Sequence, residues 1–288
     1  MNYNDVVVIL NRHIFEASKL KLLERIASNP ERYTGLFRPT KPRAKLLQNL
    51  LQSHEIRFGD AMESFVRAIL ADIGFSNLPQ YLQVTDGDAL SVDQYFTDGE
   101  RYYFVEQKVR DDHDSTKKRG QIRNFEKKLD VLYMAHRDNL TGIMYFIDPD
   151  LTKNRNYYTQ ELSRLKQHYS VDIFLFYGRE FFEYLGYPLL WDDLIAWLAQ
   201  WKADLPDMPP IDFDLQPQES FEEIKALELR HWHKLFANNK IWSEGIIQVL
   251  FSTGVTLQIL LEYFSESQDA VYLGLAQALR ERLEQYYR

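Results

Sequence analysis

The chain has 288 residues, 45% hydrophobic and 26% charged, which is enough for one sizeable core plus a smaller second domain and too apolar for disorder. It contains no cysteine, which excludes disulfides, thiolate catalysis and thiolate zinc sites, agrees with a reducing compartment, and leaves any metal to oxygen or imidazole ligands. The net charge of −8 argues against nucleic acid only as a sum, because phosphate affinity is carried by Lys and Arg and these are clustered.

Residues 3 to 28 read as helical, and their only apolar run, the five-residue "VVVIL", is too short for a signal-peptide core. No apolar span approaches the length of a membrane helix, so the chain is expected in the cytoplasm with no membrane partner. A Pro-containing basic loop follows, with Arg32, Arg38, Lys41, Arg43 and Lys45 against one acid, and then a helix over 42 to 53. "FGDAMESFVRAILADIGF" puts Met62, Phe65, Val66, Ile69, Leu70 and Ile73 on one helical stripe that Gly74 ends. "ALSVDQYF" and "RYYFVEQKVR" are strand-like, and the "TDGE" between them signals a hairpin, since Asp-Gly suits a two-residue type I′ turn.

A helix over about residues 119 to 137, the strand "TGIMYFID", the helix "YYTQELSRLKQHYS" and the strand "VDIFLFYG" complete an α/β core with helices covering a mixed sheet. The stretch after it is mostly helix around Pro188. Residues 204 to 218 hold four of the ten prolines and read as a linker, and 219 to 288 as a helical region for recognition, dimerisation or packing. The expected domains are therefore 1–203, with a helical part over 1–56 and a core over 57–203, the linker, and 219–288.

The chemistry falls on the hairpin. If Asp98 and Gly99 form its tip, Thr97 pairs with Glu100 and Asp93 faces Phe104, so Asp93, Glu106 and Lys108 project from one face. Two carboxylates within reach of each other repel unless a cation lies between them, and hard oxygen ligands at Asp93 and Glu106 favour Mg²⁺, with Mn²⁺ as a substitute. The same parity sends Asp88 to the other face, and Asp86 lies beyond the paired region; a bulge or a three-residue loop would invert this choice. Acid-x-Lys also occurs at Glu126 and Glu223, but only the copy at 106 has a same-face Asp on a partner strand.

Other apparent sites weaken. His231 and His233 lie about 200° apart on a helix and cannot chelate one metal there; a core and a surface histidine is the expected pair. No phosphate loop, nucleophile elbow or dinucleotide glycine pattern appears. Phe174, Phe176, Tyr177, Phe181 and Phe182 read as core rather than as a stacking platform, and Asp111, Asp112 and Asp114 as solvated loop acids.

An Asp on one hairpin strand ("VD" at 92 and 93), Glu-x-Lys on the next ("EQK" at 106 to 108), then a helix and a further strand resembles the PD-(D/E)XK nuclease superfamily over about residues 57 to 180. Val92 replaces a frequent Pro, and Gln107 is polar where the back of the sheet is often apolar. The helix "RFGDAMESF" is similar to segments of Type II restriction endonucleases, some of which use an acid there, and this carries over to Glu63 at the edge of the apolar stripe.

The resemblance implies Mg²⁺ held by Asp93 and Glu106, with Lys108 positioning the attacking water and stabilising the transition state. It implies a Type II restriction endonuclease cutting double-stranded DNA at a short specific site, as a homodimer with a companion methyltransferase. A repair or recombination nuclease of the same superfamily is the runner-up, and a catalytically silent DNA-binding module a third reading. Lys117, Lys118 and Arg119 become candidates for phosphate contacts and Gln121 and Arg123 for groove readers, with plain solvent exposure as the alternative. Arg38, Lys41 and Arg43 of the upstream loop are further candidate DNA contacts.

Overall fold

A computed structural model describes residues 1–83 and 89–287, so Asp86 and Asp88 lie outside the described residues. In chain order the helices are α1 (Tyr3–Ile14), α2 (Ser18–Ser28), α3 (Pro42–Asp72), α4 (Ser115–His136), α5 (Arg155–Tyr169), α6 (Arg179–Tyr184), α7 (Leu189–Ala203), α8 (Pro217–Ile224), α9 (Leu229–Ala237), α10 (Asn239–Ser243), α11 (Ile246–Leu250), α12 (Val255–Ser265) and α13 (Ala270–Tyr286). The strands are β1 (Ser76–Asn77), β2 (Tyr81–Gln83), β3 (Ala89–Ser91), β4 (Gln94–Thr97), β5 (Tyr102–Lys108), β6 (Leu140–Phe146) and β7 (Asp172–Tyr177). Among the described residues no helix is long and apolar enough to cross a membrane.

The expected single helix over 3 to 28 is two helices, because Ala17 takes a left-handed backbone (φ 54°) that breaks the run. The two helices expected over 42–53 and from Phe58 onward are instead the single helix α3. Gly59 lies inside it at a cost of about 1 kcal/mol relative to Ala, which does not suffice to end so long a helix.

The chain divides into two compact units, Met1–His13 with Arg57–Leu205, and Ile14–Ile56 with Pro206–Arg288. This differs from the expected boundaries: residues 14–56, read as the helical part of the nuclease domain, group with the C-terminal helices. The physical reason is a shared core, in which Leu22, Leu23, Ile26 and Leu46 bury against Phe221, Trp232, Leu235, Trp242 and Leu260. The proline-rich stretch is also partly built into this unit. Phe213 is buried in the same core, and the Asp214 carboxylate accepts from Thr253 N, Gly254 N and Thr256 N at 2.7 to 2.9 Å. These bonds outweigh burial and lower the Asp214 pKa.

In the first unit a five-stranded sheet runs β1-β4-β5-β6-β7, antiparallel through the β1–β4 and β4–β5 pairs and parallel through β5–β6 and β6–β7. β2 and β3 form a separate antiparallel ribbon. The parallel strands are joined through α4 and α5, which bury Ile122, Phe125, Leu129, Tyr158 and Leu162 against Phe104, Met144 and Phe146 of one sheet face. Gly142, paired with Phe104, admits no side chain: a Cβ there would meet the Phe104 ring at 2.9 Å.

The hairpin tip differs in length from the expected turn. Thr97 pairs with Tyr102 rather than with Glu100, and residues 98 to 101 form the loop. The Asp98 carboxylate accepts from Glu100 N at 2.9 Å and Arg101 N at 2.7 Å, and Gly99 takes φ +99°, so the aspartate organises a four-residue turn. A shift of two residues preserves side-chain parity, so Asp93 keeps to the face of Glu106 and Lys108. The expected long strand is interrupted at Val92 and Asp93, where the Asp93 carbonyl accepts from Gln80 Nε2 at 2.6 Å.

Candidate active site

Asp93, at the break between β3 and β4, accepts the backbone N–H of Gln107 on its Oδ2 at 2.8 Å. The Lys108 ammonium lies between the two acids, 2.8 Å from Asp93 Oδ2 and 3.0 Å from Glu106 Oε1. The three residues selected by parity therefore converge.

Helix α4 adds a fourth charged group. Asp114 caps its N-terminus by accepting from Thr116 N and Lys117 N, both at 2.9 Å, so the helix starts at Ser115 rather than near residue 119. From it Lys128 reaches into the site, where its ammonium bonds Glu106 Oε2 and lies 3.9 Å from Asp93 Oδ1. The Lys128 and Glu106 side chains are 4% and 2% exposed. Asn124, one turn earlier, approaches Glu106 Oε1 with its Nδ2 at 3.4 Å. Lys128 is not among the site residues expected from the sequence. The missed signal is spacing, since 117, 121, 124 and 128 recur at helical period beside the apolar stripe 122, 125 and 129.

Together these residues line a cleft of about 510 Å³ bounded by Asp93, Glu106, Lys108, Lys117, Asn124 and Lys128. His113, Gly120 and Gln121 complete its wall. On the reverse face of β5, Gln107 is buried and meets Gln94 Nε2 at 3.3 Å, and Gln94 also donates to the Glu63 carbonyl at 2.7 Å. The polar residue at the back of the sheet thus ties α3 to the hairpin.

The electrostatics separate the acids. Burial and the neighbouring Glu106 raise the Asp93 pKa, against the pull of Lys108 and Lys128. Burial opposes ionisation of Glu106 too, but Lys108 and Lys128 outweigh it and hold that carboxyl below the usual range. Lys108 is desolvated, yet its two acids raise its pKa and keep it charged.

Glu63 is not among the residues lining this cleft, but it feels the same charges: burial first, then the Asp93 charge, pushes its carboxyl up to about 7. A raised carboxylate pKa means the folded state binds a proton that the unfolded state has released. The contribution of Glu63 to stability falls as pH rises from about 4.5 to about 7 and is level above. In metal-free buffer Glu63→Gln is expected to gain about 2 kcal/mol over the parent at pH 8, a gain that shrinks toward pH 4.5. Urea melts at the two pH values measure it, and equal gains at both would show that Glu63 does not titrate in this range.

A family profile described as HinfI, Type II restriction endonuclease, matches residues 2–81 and 76–202 of the chain. The chain belongs to the HinfI family of Type II restriction endonucleases. Membership makes it an endonuclease acting on DNA, and the second matched stretch carries Asp93, Glu106, Lys108 and Lys128. No curated protein matches.

The candidate DNA contacts of this HinfI-family chain fall in different places. Lys117 and Gln121 line the cleft, and Gln121 is already engaged, accepting from the Tyr158 hydroxyl. Lys118 lies over the Tyr157 ring at 4.5 Å, while Arg119 and Arg123 are exposed. Arg38, Lys41 and Arg43 belong to the other compact unit, where Arg38 is bonded to the Glu31 and Thr34 carbonyls.

The acids after β5 are not all solvated as expected. Asp111 is fully buried and accepts from Asn154 N and Nδ2 and from the Tyr177 hydroxyl at 2.8 to 2.9 Å, which makes it a structural node. Asp114 is the helix cap, and Asp112 is exposed. His231 is buried and His233 exposed, as expected for a core and a surface histidine. Of the aromatic series Tyr177, Phe181 and Phe182 are buried, while Phe174 and Phe176 are half-buried and stack on each other.

Proposed function

We propose that the chain is a Mg²⁺-dependent Type II restriction endonuclease of PD-(D/E)XK type, hydrolysing phosphodiesters of double-stranded DNA at a short specific sequence. The observation that carries this reading is the Lys108 ammonium held between the Asp93 and Glu106 carboxylates, on a DNA-endonuclease chain.

The donor set suits a hard cation. Among the described residues no group of three or more His, Cys, Asp or Glu side chains gathers into a metal cage. Magnesium, however, is commonly held by one or two carboxylates and completes its shell with water and substrate phosphate, so Asp93 and Glu106 fit it. When bound there, the ion would acidify water and neutralise charge on the phosphoryl group. Lys108 would orient the nucleophile and stabilise charge developing on phosphate oxygens. Lys128 would hold Glu106 ionised and aimed, and Lys117 would meet backbone phosphate at the cleft mouth. A homodimer would make symmetric cuts, and a companion methyltransferase would protect host DNA.

Digestion of a sequenced plasmid with Mg²⁺, followed by mapping of the cut ends, tests the reading. Discrete fragments whose ends share one motif, lost on chelation, are expected. Smearing or end-dependent degradation would instead support a structure-directed repair nuclease, and no cleavage a silent DNA-binding module.

A further inference from the structure

The loop between α2 and α3 carries two adjacent apolar side chains, Leu36 and Phe37, that are 98% and 103% exposed. Such full exposure of neighbouring large side chains is a surface feature that asks for a partner. Arg32, Lys41 and Arg43 flank them and are themselves exposed.

The loop is built rather than loose. Tyr33 anchors it in the core of its unit, and the Thr34 hydroxyl donates to the Pro30 carbonyl at 3.2 Å. Gly35 turns the chain with φ +108°, a conformation that side-chain-bearing residues avoid, and its N–H donates to Glu244 Oε2 at 2.8 Å. Arg38 closes the far side, donating to the Glu31 carbonyl at 2.7 Å and to the Thr34 carbonyl at 3.3 Å. Leu36 and Phe37 thus stand on a turn fixed at both feet, which lowers the ordering cost of inserting them into a partner.

We infer that Leu36 and Phe37 form an apolar wedge that inserts at a base step of the DNA substrate, with Arg32, Lys41 and Arg43 on the flanking phosphates. The proposal rests on the DNA-cleaving reading above. Charge complementarity selects the occupant: the segment from Glu31 to Leu47 carries five cations against one acid, on a chain of net charge −8. In a two-fold interface like patches would meet, so a second copy of this chain would bring cation against cation. Duplex DNA supplies both needs at once, apolar base faces for the wedge and phosphates for the cations, and apolar wedges are a known means of unstacking base pairs.

The test compares the full-length parent with Leu36→Ala/Phe37→Ala on a cleavable duplex carrying 2-aminopurine at successive positions. Binding and base unstacking are read by fluorescence without divalent metal, and cleavage with Mg²⁺. The double variant is expected to lose the unstacking signal, bind at least about 10-fold more weakly, and melt at the parent's temperature because neither side chain is buried. Phe37→Trp in the presence of Leu36 should retain the signal, and Leu273→Ala, also exposed but on α13, should behave as the parent. Unchanged DNA affinity and fluorescence would overturn the wedge. So would unchanged DNA binding with a shift in sedimentation, which would assign the surface to a second copy. If the parent binds but does not cut, yet binding still depends on the wedge, the inference stands and the proposed cleavage chemistry falls.

Discussion

Glu106→Gln is expected to abolish cleavage and to destabilise the protein, whereas Asp93→Asn abolishes cleavage alone. Both remove a carboxylate from the cleft, and a loss of at least ~10³-fold in cleavage rate is expected for either, the scale for removing a preorganised electrostatic group. Their stabilities diverge because the site treats them oppositely. The folded protein holds Glu106 below the usual carboxylate range, so its charge contributes stability at pH above about 4.5 that is lost as pH falls through the lowered pKa. Neutralising it leaves the nearly buried Lys128 with only Asp93 at 3.9 Å, and breaking a buried pair from one side costs about 3 kcal/mol.

Asp93 has a raised pKa, so its charge opposes folding as pH rises past about 3.8, and neutralising it at pH 7 relieves that opposition. The amide can still accept from Gln107 N and Lys108. Urea melts of both variants at pH 7 in metal-free buffer, beside their cleavage rates, check the contrast. Equal stability losses would show that the two acids are not distinguished by their lysines.

Lys128→Met is expected to lose about 2 kcal/mol in metal-free buffer and to regain most of it when Mg²⁺ is added. The lysine supplies the second positive charge on Glu106, and a methionine of similar length leaves the carboxylates with Lys108 alone. A divalent cation would replace the missing charge. By the same argument Lys128 would compete with the proposed metal, so the variant should reach half-maximal cleavage at a lower Mg²⁺ concentration. Melting curves with and without Mg²⁺, with a Mg²⁺ titration of cleavage, provide the test. A stability loss that Mg²⁺ does not repair would reduce Lys128 to a packing element.

Much of the site was legible because a strand has a period of two. Asp93, Glu106 and Lys108 were placed on one face from a turn assumed two residues long. The actual four-residue turn shifted the pairing by an even number, so the three side chains still share one face. The turn itself was misread because Asp98 bonds the backbone of Glu100 and Arg101, a local competition that the Asp-Gly pair does not reveal.

Lys128 was hidden for another reason. In "NFEKKLD" it looks like its neighbour Lys127, and only its angle on α4 relative to Phe125 and Leu129 distinguishes a cleft lysine from a solvated one. Asp111 was hidden by distance, since its partners Asn154 and Tyr177 lie on later elements. The grouping of residues 14–56 with the C-terminal helices was equally invisible, because Leu22 and Leu46 meet Trp232 and Leu235 across more than half of the chain.

If one cluster performs the cleavage, Lys108→Ala removes the cation at its centre. The measurement is cleavage under enzyme excess, paired with binding of the same DNA fragment, for parent and variant at one salt concentration and with Mg²⁺ present. A cleavage rate at least ~10³-fold lower is expected, with DNA affinity within a few-fold of the parent. A variant that binds and cuts like the parent would contradict this expectation and move the active site elsewhere in the chain.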